Sequence, residues 1–353
     1  MATGLLRVAP PEELLRPLAV PERLLLGPGP SNVPRRIRAA GARQLLGHMH
    51  PEVLQVMDEI KAGIQYAFQT QNRLTLAISG SGHCAMEAAL VNLLEQGDTV
   101  LVAINGIWGQ RAADIARRLG ANVYELLKPP GPAAAQTFGA LHHPRRVLHR
   151  GAAATGGAGR AVPPVWLPAA CGRSGIAWGS PHLHGPAGEK LLRRKTKPPS
   201  FYLDVGCLAN YWGCDGEPRR YHHTAPINSF FSLREGLALL AEVGLESSWE
   251  RHRANCTQLC QGLLDMGLEL FVEEERARLP TITTVRVPEG YNWEDITAFL
   301  MDNHGMEIAG GLGPTVGKVL RIGLMGCNST SGNVERVLGA LRDALKRCHR
   351  SRL

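Results

Sequence analysis

Ser79-Gly80-Ser81-Gly82-His83 lies between a short apolar strand and an apolar helix, and this stretch decides the fold class. The sequence predicts the strand at Thr75–Ile78 and the helix at 84–94. A turn of this kind directs free backbone N–H groups, with the helix dipole behind them, towards an anion such as a phosphate. The stretch matches neither G-x-G-x-x-G nor a P-loop. By itself, an ordinary strand-to-helix turn explains it as well as a ligand site does.

Strands and helices alternate around this turn, which favours an α/β fold with a parallel sheet flanked by helices. Two further strands are predicted at 99–104 and 122–127, with a helix between them at 108–119. Ligands of such sheets bind beyond the carboxyl ends of the strands, where the turn and residues 105–108 both fall. A helix is also predicted before the turn, at 51–69. The second half of the chain predicts a small α+β domain, with helices at 230–246, 249–266, 292–303 and 331–346 and strands at 281–287, 306–309 and 318–324.

Composition argues against several classes of function. The 353 residues are 44% hydrophobic, which suits one large domain and a smaller one, and no apolar run approaches the length of a membrane span. The net charge of +8 is regional, because residues 126–188 contain six basic residues and no acid. Without a basic stripe interleaved with aromatic residues elsewhere, we expect no nucleic-acid partner. The eight cysteines lack the paired short spacings of a zinc site, so we expect no metal.

Five short stretches, taken in order, resemble one known family. They are LLLGPGPSN at 24–32, SGSGH at 79–83, NGIWGQR at 105–111, YHHT at 221–224 and VLRIG at Val319–Gly323. Together they are similar to the serine–pyruvate/alanine–glyoxylate aminotransferases, which are class V, fold type I enzymes dependent on pyridoxal phosphate. The resemblance covers residues 1–127 and about 191–353, and we find none between these blocks.

The resemblance implies an organisation and a reaction. It implies an N-terminal arm at 1–22, a large fold type I domain at 23–240 that binds pyridoxal phosphate, and a smaller C-terminal α+β domain at 241–353. The implied reaction moves an amino group from alanine or serine to glyoxylate or pyruvate. Another class V pyridoxal-phosphate reaction, such as that of a lyase or desulfurase, is an alternative.

The resemblance also implies roles for eight residues. Ser81, Gly82 and His83 would bind the cofactor phosphate, and Trp108 would stack on the cofactor ring. Tyr221 and Thr224 would reach the phosphate of the neighbouring subunit, which implies a homodimer. Arg321 would bind the substrate carboxylate, and Gly29, after Pro28, would lie in a loop that closes over the substrate. From the residues alone, Trp108 also suits a core position, Arg321 a surface position, and the YHHT stretch an ordinary loop with structural histidines.

The catalytic groups of this family are missing from the places where the resemblance puts them. A Schiff-base lysine and an aspartate for the pyridine nitrogen are expected, but residues 178–182 read Trp-Gly-Ser-Pro-His. The nearest lysines are Lys190, Lys195 and Lys197, and we assign none of them. Residues 128–190 consist largely of Ala, Gly, Pro, Arg and His without a period of 2 or 3.6, which predicts a frame-shifted or disordered segment. A catalytically dead isoform or a gene-model error is therefore an alternative to an active enzyme.

The tripeptide Ser351-Arg352-Leu353 has the small–basic–leucine form of a peroxisomal address. It implies recognition by the peroxisomal import receptor and a peroxisomal location. A mitochondrial or cytosolic location is the alternative.

Overall fold

The computed structural model describes residues 10–104, 106–127, 176–179, 191 and 193–348, with 176–179 described by backbone alone. The α-helices of this part of the chain are α1 Arg35–Gly41, α2 Pro51–Phe68, α3 Gly82–Leu93, α4 Ile107–Arg118, α5 Val205–Tyr211, α6 Ile227–Val243, α7 Leu245–Asp265, α8 Trp293–His304 and α9 Ser331–Arg347. Its strands are β1 Leu24–Leu25, β2 Thr75–Ile78, β3 Thr99–Ile104, β4 Asn122–Leu127, β5 Ile176–Gly179, β6 Ile282–Arg286, β7 Met306–Glu307, β8 Ala309–Gly310 and β9 Val319–Gly323.

The first sheets confirm the α/β class and correct one detail of the pairing. β3 and β4 are parallel, with Ile104 opposite Leu127, and α4 connects them. β2 is buried at all four residues and pairs antiparallel with β5, so the parallel pairing predicted around it is wrong for this strand. β5 was not predicted, because the segment around it showed no strand or helix period. It lies inside the segment 128–190 that we expected to be irregular.

A first hydrophobic core joins α2, β2, α5 and the start of α6. Residues at helical spacing on α2 are fully or almost fully buried, namely Val53, Met57, Ile60 and Ile64. They pack with Trp212 and Phe230, whose rings lie 5.3 Å apart. The helical spacing predicted at 51–69 therefore gives the buried face of α2.

A second core belongs to the C-terminal α+β part of the chain. The antiparallel sheet β6–β9–β8 packs with α7, α8 and α9. The single strand predicted at 306–309 is two strands, β7 and β8, and β7 pairs with β1 instead of joining this sheet. β1 joins this part, because it pairs in parallel with β7 and because Leu26 is fully buried in the second core. Our division of the chain at 23–240 and 241–353 places β1 in the larger domain, and the division itself stays a prediction.

Several predictions concern residues that the structure does not describe or describes only in part. Residues 1–9 of the arm, Asn105, Lys190 and the C-terminal tripeptide lie outside them. Residues 10–23 are exposed, with a single turn of 3₁₀-helix at Glu12–Leu15. In the described part of the chain, none of the helices has the length and apolar character needed to cross a bilayer.

Candidate active site

The N-terminus of α3 is the candidate anion cradle. Ser81 is the N-cap residue, its backbone is extended (φ −76°, ψ 173°), and its hydroxyl makes no capping hydrogen bond. α3 begins at Gly82, two residues before the predicted start, so the amides of Gly82 and His83 lie in the first turn of the helix. Amides of a first turn have no acceptor within their own helix. Together with the Ser81 hydroxyl they supply the donors that a phosphate needs.

Two contacts explain the shape of the preceding turn. A Cβ atom at Gly80 would lie 2.6 Å from Cβ of Cys84, so the turn fits against α3 only with glycine at this position. The hydroxyl of Tyr202 donates to the carbonyl oxygen of Ser79 at 3.3 Å. Tyr202 was not among the site residues found from the sequence. Tyr202 and Ser79 are separated by 123 positions in the sequence, so this contact leaves no local signal.

His83 and Trp108 lie side by side. Their ring centroids are 4.9 Å apart at 63°, an edge-to-face arrangement, and Trp108 is 40% exposed. Nε2 of His83 is buried and has no hydrogen-bond partner among the described residues, which marks a polar position that a ligand atom can satisfy. Gly109 lets α4 approach β3 closely, since a Cβ atom there would lie 3.0 Å from Cα of Ile104. The close packing fixes the position of Trp108 in the first turn of α4.

Arg321 extends from β9, the central strand of the C-terminal sheet. Its Nε donates to the carbonyl oxygen of Gly310 at 2.6 Å. Burial lowers the pKa of Arg321, and burial is the one cause of this shift, with no acidic neighbour opposing it. A half-buried guanidinium without a carboxylate partner in the described part of the chain is electrostatically costly. It therefore provides a site for an anionic ligand, and Arg binds carboxylates in bidentate geometry.

The glycine loop near the N-terminus contacts the same strand. The amide of Gly323, two residues after Arg321, donates to the carbonyl oxygen of Leu26 at 2.6 Å. Gly29 is exposed, and its amide donates to Gly27 at 2.9 Å. The loop after β8 approaches α4, because a Cβ atom at Gly313 would lie 4.0 Å from Cδ1 of Ile107. The structure thus holds the chain just before Gly29 against β9, two residues after Arg321, and places the loop after β8 next to the first turn of α4.

Residues 221–224 form an aromatic cluster with polar contacts. The Tyr221 hydroxyl lies 3.4 Å from Oγ1 of Thr224, and both residues are exposed. Nδ1 of His222 lies 2.8 Å from Nδ1 of His223, and Nε2 of His222 lies 3.2 Å from the carbonyl oxygen of Phe201. Because a carbonyl only accepts, Nε2 of His222 carries a proton, and His222 then accepts at Nδ1 from His223. The two histidines hold the loop in place, which agrees with the structural role expected for them.

Of the chain's seven lysines, five lie in the described residues, and two of these have clear structural positions. Lys61 donates to the carbonyl oxygens of Trp212 and Gly213, each at 3.2 Å. The amide of Lys195 donates to Glu95, beyond the C-terminal end of α3. The 12 residues of α3 span about 18 Å, so Lys195 is attached at the end of the helix opposite the anion cradle.

The guanidinium of Arg194 fixes the segment that carries Lys195. Its Nη1 donates to the carbonyl oxygens of Val91, Asn92 and Leu94 at 2.8–3.0 Å, where α3 leaves carbonyl groups without helical partners. The described residues thus offer groups for a phosphate, an aromatic ring and a carboxylate. They offer no assigned lysine for covalent attachment.

No group of three or more metal-ligating side chains occurs within the described ranges, and the expectation of no metal stays a prediction. Cys256 and Cys260 lie one turn apart on α7 with their sulfur atoms 4.0 Å apart, and both are buried. They therefore pack within the C-terminal core.

Comparisons with known proteins identify the family. The model of the aminotransferase class-V family matches residues 33–138 and 175–337. A Callithrix jacchus protein named alanine–glyoxylate aminotransferase is 51% identical, with 100% of this chain and 95% of the relative covered. A Drosophila melanogaster protein of the same name is 41% identical, with 97% of each chain covered. The crystal structure of an alanine–glyoxylate aminotransferase from Nostoc sp. has a TM-score of 0.79 at 34% identity and covers 96% of this chain and 100% of its own.

The matches also correct the limits of the unusual segment. The family match continues to residue 138 and resumes at residue 175, just before β5, so the resemblance does not fail over the whole of 128–190. Residues 139–174 remain outside the family match. The alignment with the Callithrix jacchus relative is 401 positions long although this chain has 353 residues, so that relative has positions without a counterpart here.

The order of the motifs, the anion cradle at α3 and the extent of the family match lead to one assignment. The chain belongs to the class-V aminotransferases, which are fold type I enzymes that use pyridoxal phosphate.

Proposed function

We propose that this chain binds alanine, or serine, as amino donor and glyoxylate, or pyruvate, as acceptor in an aminotransferase reaction. Relatives named alanine–glyoxylate aminotransferase at 41–51% identity support this choice of substrates. The observation that carries the proposal is Arg321, a half-buried cation without an acidic partner in the described residues, in the middle of strand β9, whose Gly323 contacts the chain just before the Gly29 loop. All four substrates carry one α-carboxylate, which such an arginine binds.

Each binding group has a separate task. The amides of Gly82 and His83 and the Ser81 hydroxyl bind the cofactor phosphate, and Trp108 covers one face of the ring. Bound pyridoxal phosphate supplies an electron sink for the carbon that bears the amino group. Arg321 orients the substrate by its carboxylate, and the Gly29 loop excludes water from it. These groups account for binding and orientation, and the proton transfers need a further base.

In our proposal, the family's groups for covalent and acid–base chemistry fall where this chain has residues 128–190, and the sequence of this segment does not supply them. The family match omits residues 139–174, and five of the seven lysines lie elsewhere in the described part of the chain. A second candidate function follows from these observations, namely a relative that keeps the binding site and lacks turnover. The two candidates differ in whether a lysine attaches to the cofactor.

The proposal also includes an oligomeric state and a location in the cell. The exposed pair Tyr221 and Thr224 suits a contact with the phosphate of a second subunit, so we propose a homodimer. Where Ser351-Arg352-Leu353 stands at a free carboxyl terminus, its form suits the peroxisomal import receptor, and we propose a peroxisomal location.

A pair of stable ligands tests the substrate assignment without requiring turnover. N-(5′-phosphopyridoxyl)-L-alanine carries the phosphate, the ring and the substrate carboxylate, whereas pyridoxamine 5′-phosphate lacks the carboxylate. A hydrogen bond between charged groups contributes about 1.5–3 kcal/mol, so Arg321→Met should weaken binding of the alanine conjugate on the order of 10- to 100-fold. Binding of pyridoxamine phosphate should stay unchanged.

Arg286→Met on the neighbouring strand β6 is the matched control. Its guanidinium lies 3.5 Å from Glu269 and over the ring of Phe271, outside the proposed site. Calorimetric titration of the three proteins with both ligands measures the effect. Equal losses for both ligands, or no loss in Arg321→Met, would contradict the role of Arg321.

A further inference from the structure

Asn328 connects two distant parts of the chain near the proposed substrate site. It is 4% exposed and lies in the loop that follows β9. Its Nδ2 donates to the carbonyl oxygen of Leu25 at 2.7 Å and to Oδ1 of Asn32 at 2.9 Å. Oδ1 of Asn32 also accepts from the amide of Leu25 at 2.9 Å, and its Nδ2 donates to the carbonyl oxygen of Arg23 at 2.8 Å. The side-chain amides of the two asparagines thus fix both ends of the Gly29 loop.

The loop that carries Asn328 is itself attached to α7. Arg251 donates to the carbonyl oxygens of Gly326 and Ser329, and Nδ2 of Asn255 donates to Oγ of Ser329 at 3.0 Å. Nε2 of His252 accepts from the amide of Gly326 at 3.2 Å. Ser329 is fully buried. Asn328 is therefore presented from a rigid support and not from a mobile loop.

The loop between these fixed ends has few contacts of its own. Gly29 is exposed, and a Cβ atom there would meet nothing within 4 Å. On the side of β9 the loop is held by the hydrogen bond from Gly323 to Leu26 and by that from Ser31 to Met325 at 3.3 Å. Because the loop lacks a hydrophobic anchor at its tip, the polar contacts at its ends determine where Gly29 lies relative to Arg321.

We infer that Asn328 is a positioning residue for substrate binding, because it holds the Gly29 loop beside Arg321 through Leu25 and Asn32. This inference rests on the proposed function of Arg321 and the Gly29 loop as the carboxylate site. Asn328 does not contact the substrate in this account. Its loss releases the loop and leaves the anion cradle at α3 unchanged.

Hydrogen exchange and the two ligands described above test the inference together. Asn328→Ala should speed amide exchange in residues 23–32 at least 10-fold and weaken binding of phosphopyridoxyl-alanine at least 5-fold. Binding of pyridoxamine phosphate should change less than 2-fold. Asn32→Ala removes the bond that Asn32 shares with Asn328 and its own bonds to Leu25 and Arg23, at a partly buried position. It should give the same pattern, so the test does not depend on how the Asn328 variant folds.

Asn303→Ala is the matched control, since its Nδ2 donates to the carbonyl oxygen of Phe299 on the exposed side of α8. It should change neither measurement. Unchanged exchange in 23–32 for both variants would overturn the inference, and so would faster exchange with full affinity for the alanine conjugate. If the unsubstituted protein prefers neither ligand, the proposed carboxylate site is wrong, and the exchange data alone then decide whether Asn328 holds the loop.

Discussion

The environment of His223 predicts that the protein loses stability in mild acid. Its ring lies against Tyr202 and Tyr211 at 5.1 and 5.4 Å, and its Nδ1 donates to Nδ1 of His222. Burial, followed by the electrostatic interactions with His222 and His48, lowers the pKa of His223 from 6.5 to about 4. The native protein therefore keeps His223 neutral at a pH where the unfolded chain binds a proton there.

The sign and size of this change in the free energy of unfolding follow from proton linkage. Between pH 6.5 and pH 4 the unfolded state binds more protons at this residue than the native state, so stability falls as the pH falls. At 1.36 kcal/mol per pKa unit, His223 lowers the free energy of unfolding by about 2 kcal/mol at pH 5 and by about 3 kcal/mol below pH 4. Above pH 6.5 this effect vanishes, because both states are then neutral at His223.

Urea unfolding at pH 7.5 and pH 5.0 measures this effect. The unsubstituted protein should lose about 2 kcal/mol more free energy of unfolding between these pH values than His223→Gln does. His50→Gln is the matched control, since His50 is exposed, and it should keep the full pH dependence. Equal pH dependence in the unsubstituted protein and His223→Gln, or an NMR titration of His223 near pH 6.5, would refute the reasoning.

Two further predictions concern the cofactor ring and the location. Trp108→Phe should weaken binding of pyridoxal phosphate by about 1 kcal/mol, because a smaller ring stacks less well, and it should reduce the quenching of tryptophan fluorescence. Trp249→Phe on the exposed face of α7 is the control and should leave both the binding and the quenching unchanged. Equal behaviour of the two variants would count against stacking on Trp108. Deletion of Ser351-Arg352-Leu353 from a chain that ends there should move it from peroxisomes to the cytosol by fluorescence microscopy, and unchanged peroxisomal signal would contradict the address.

Local patterns predicted the elements of the fold well. β2, β3 and β4 begin and end where the apolar runs predict, because turn residues bound each run. α8 begins after Asn292, whose side chain accepts from the amide of Glu294, as expected from a capping residue. The start of α3 was missed by two residues, because glycine disfavours helices and Gly82 was therefore placed in the turn.

Contacts between distant residues could not be predicted from local patterns. β1 pairs with β7 across about 280 residues, and this contact places Leu26 in the C-terminal core. The hydrogen bond of Tyr202 to Ser79 and the bonds of Arg194 to the end of α3 likewise have no sequence period or motif. The family resemblance predicted the residues of the candidate site one by one. The hydrogen bonds by which Tyr202, Asn328 and Asn32 hold the segments of this site could be found only in the structure.

Trapping of the cofactor together with turnover tests the central claim most directly. The claim is that this chain keeps the groups that bind phosphate, ring and carboxylate, but lacks the family's covalent and acid–base groups, whose place in the chain is taken by residues 128–190. The measurement compares this chain with a variant whose residues 128–190 are replaced by the corresponding segment of the Callithrix jacchus relative. Each is incubated with pyridoxal phosphate, reduced with borohydride, mapped for a pyridoxyl-lysine peptide, and assayed for conversion of alanine and glyoxylate to pyruvate and glycine.

The account predicts that both proteins bind pyridoxal phosphate, and that the replaced variant alone gives a labelled lysine. Its turnover should exceed that of this chain on the order of a thousand-fold or more, because the missing lysine is also the proton-transfer group. A labelled lysine in this chain, at Lys190, Lys195, Lys197 or elsewhere, with turnover equal to that of the replaced variant, would contradict the account.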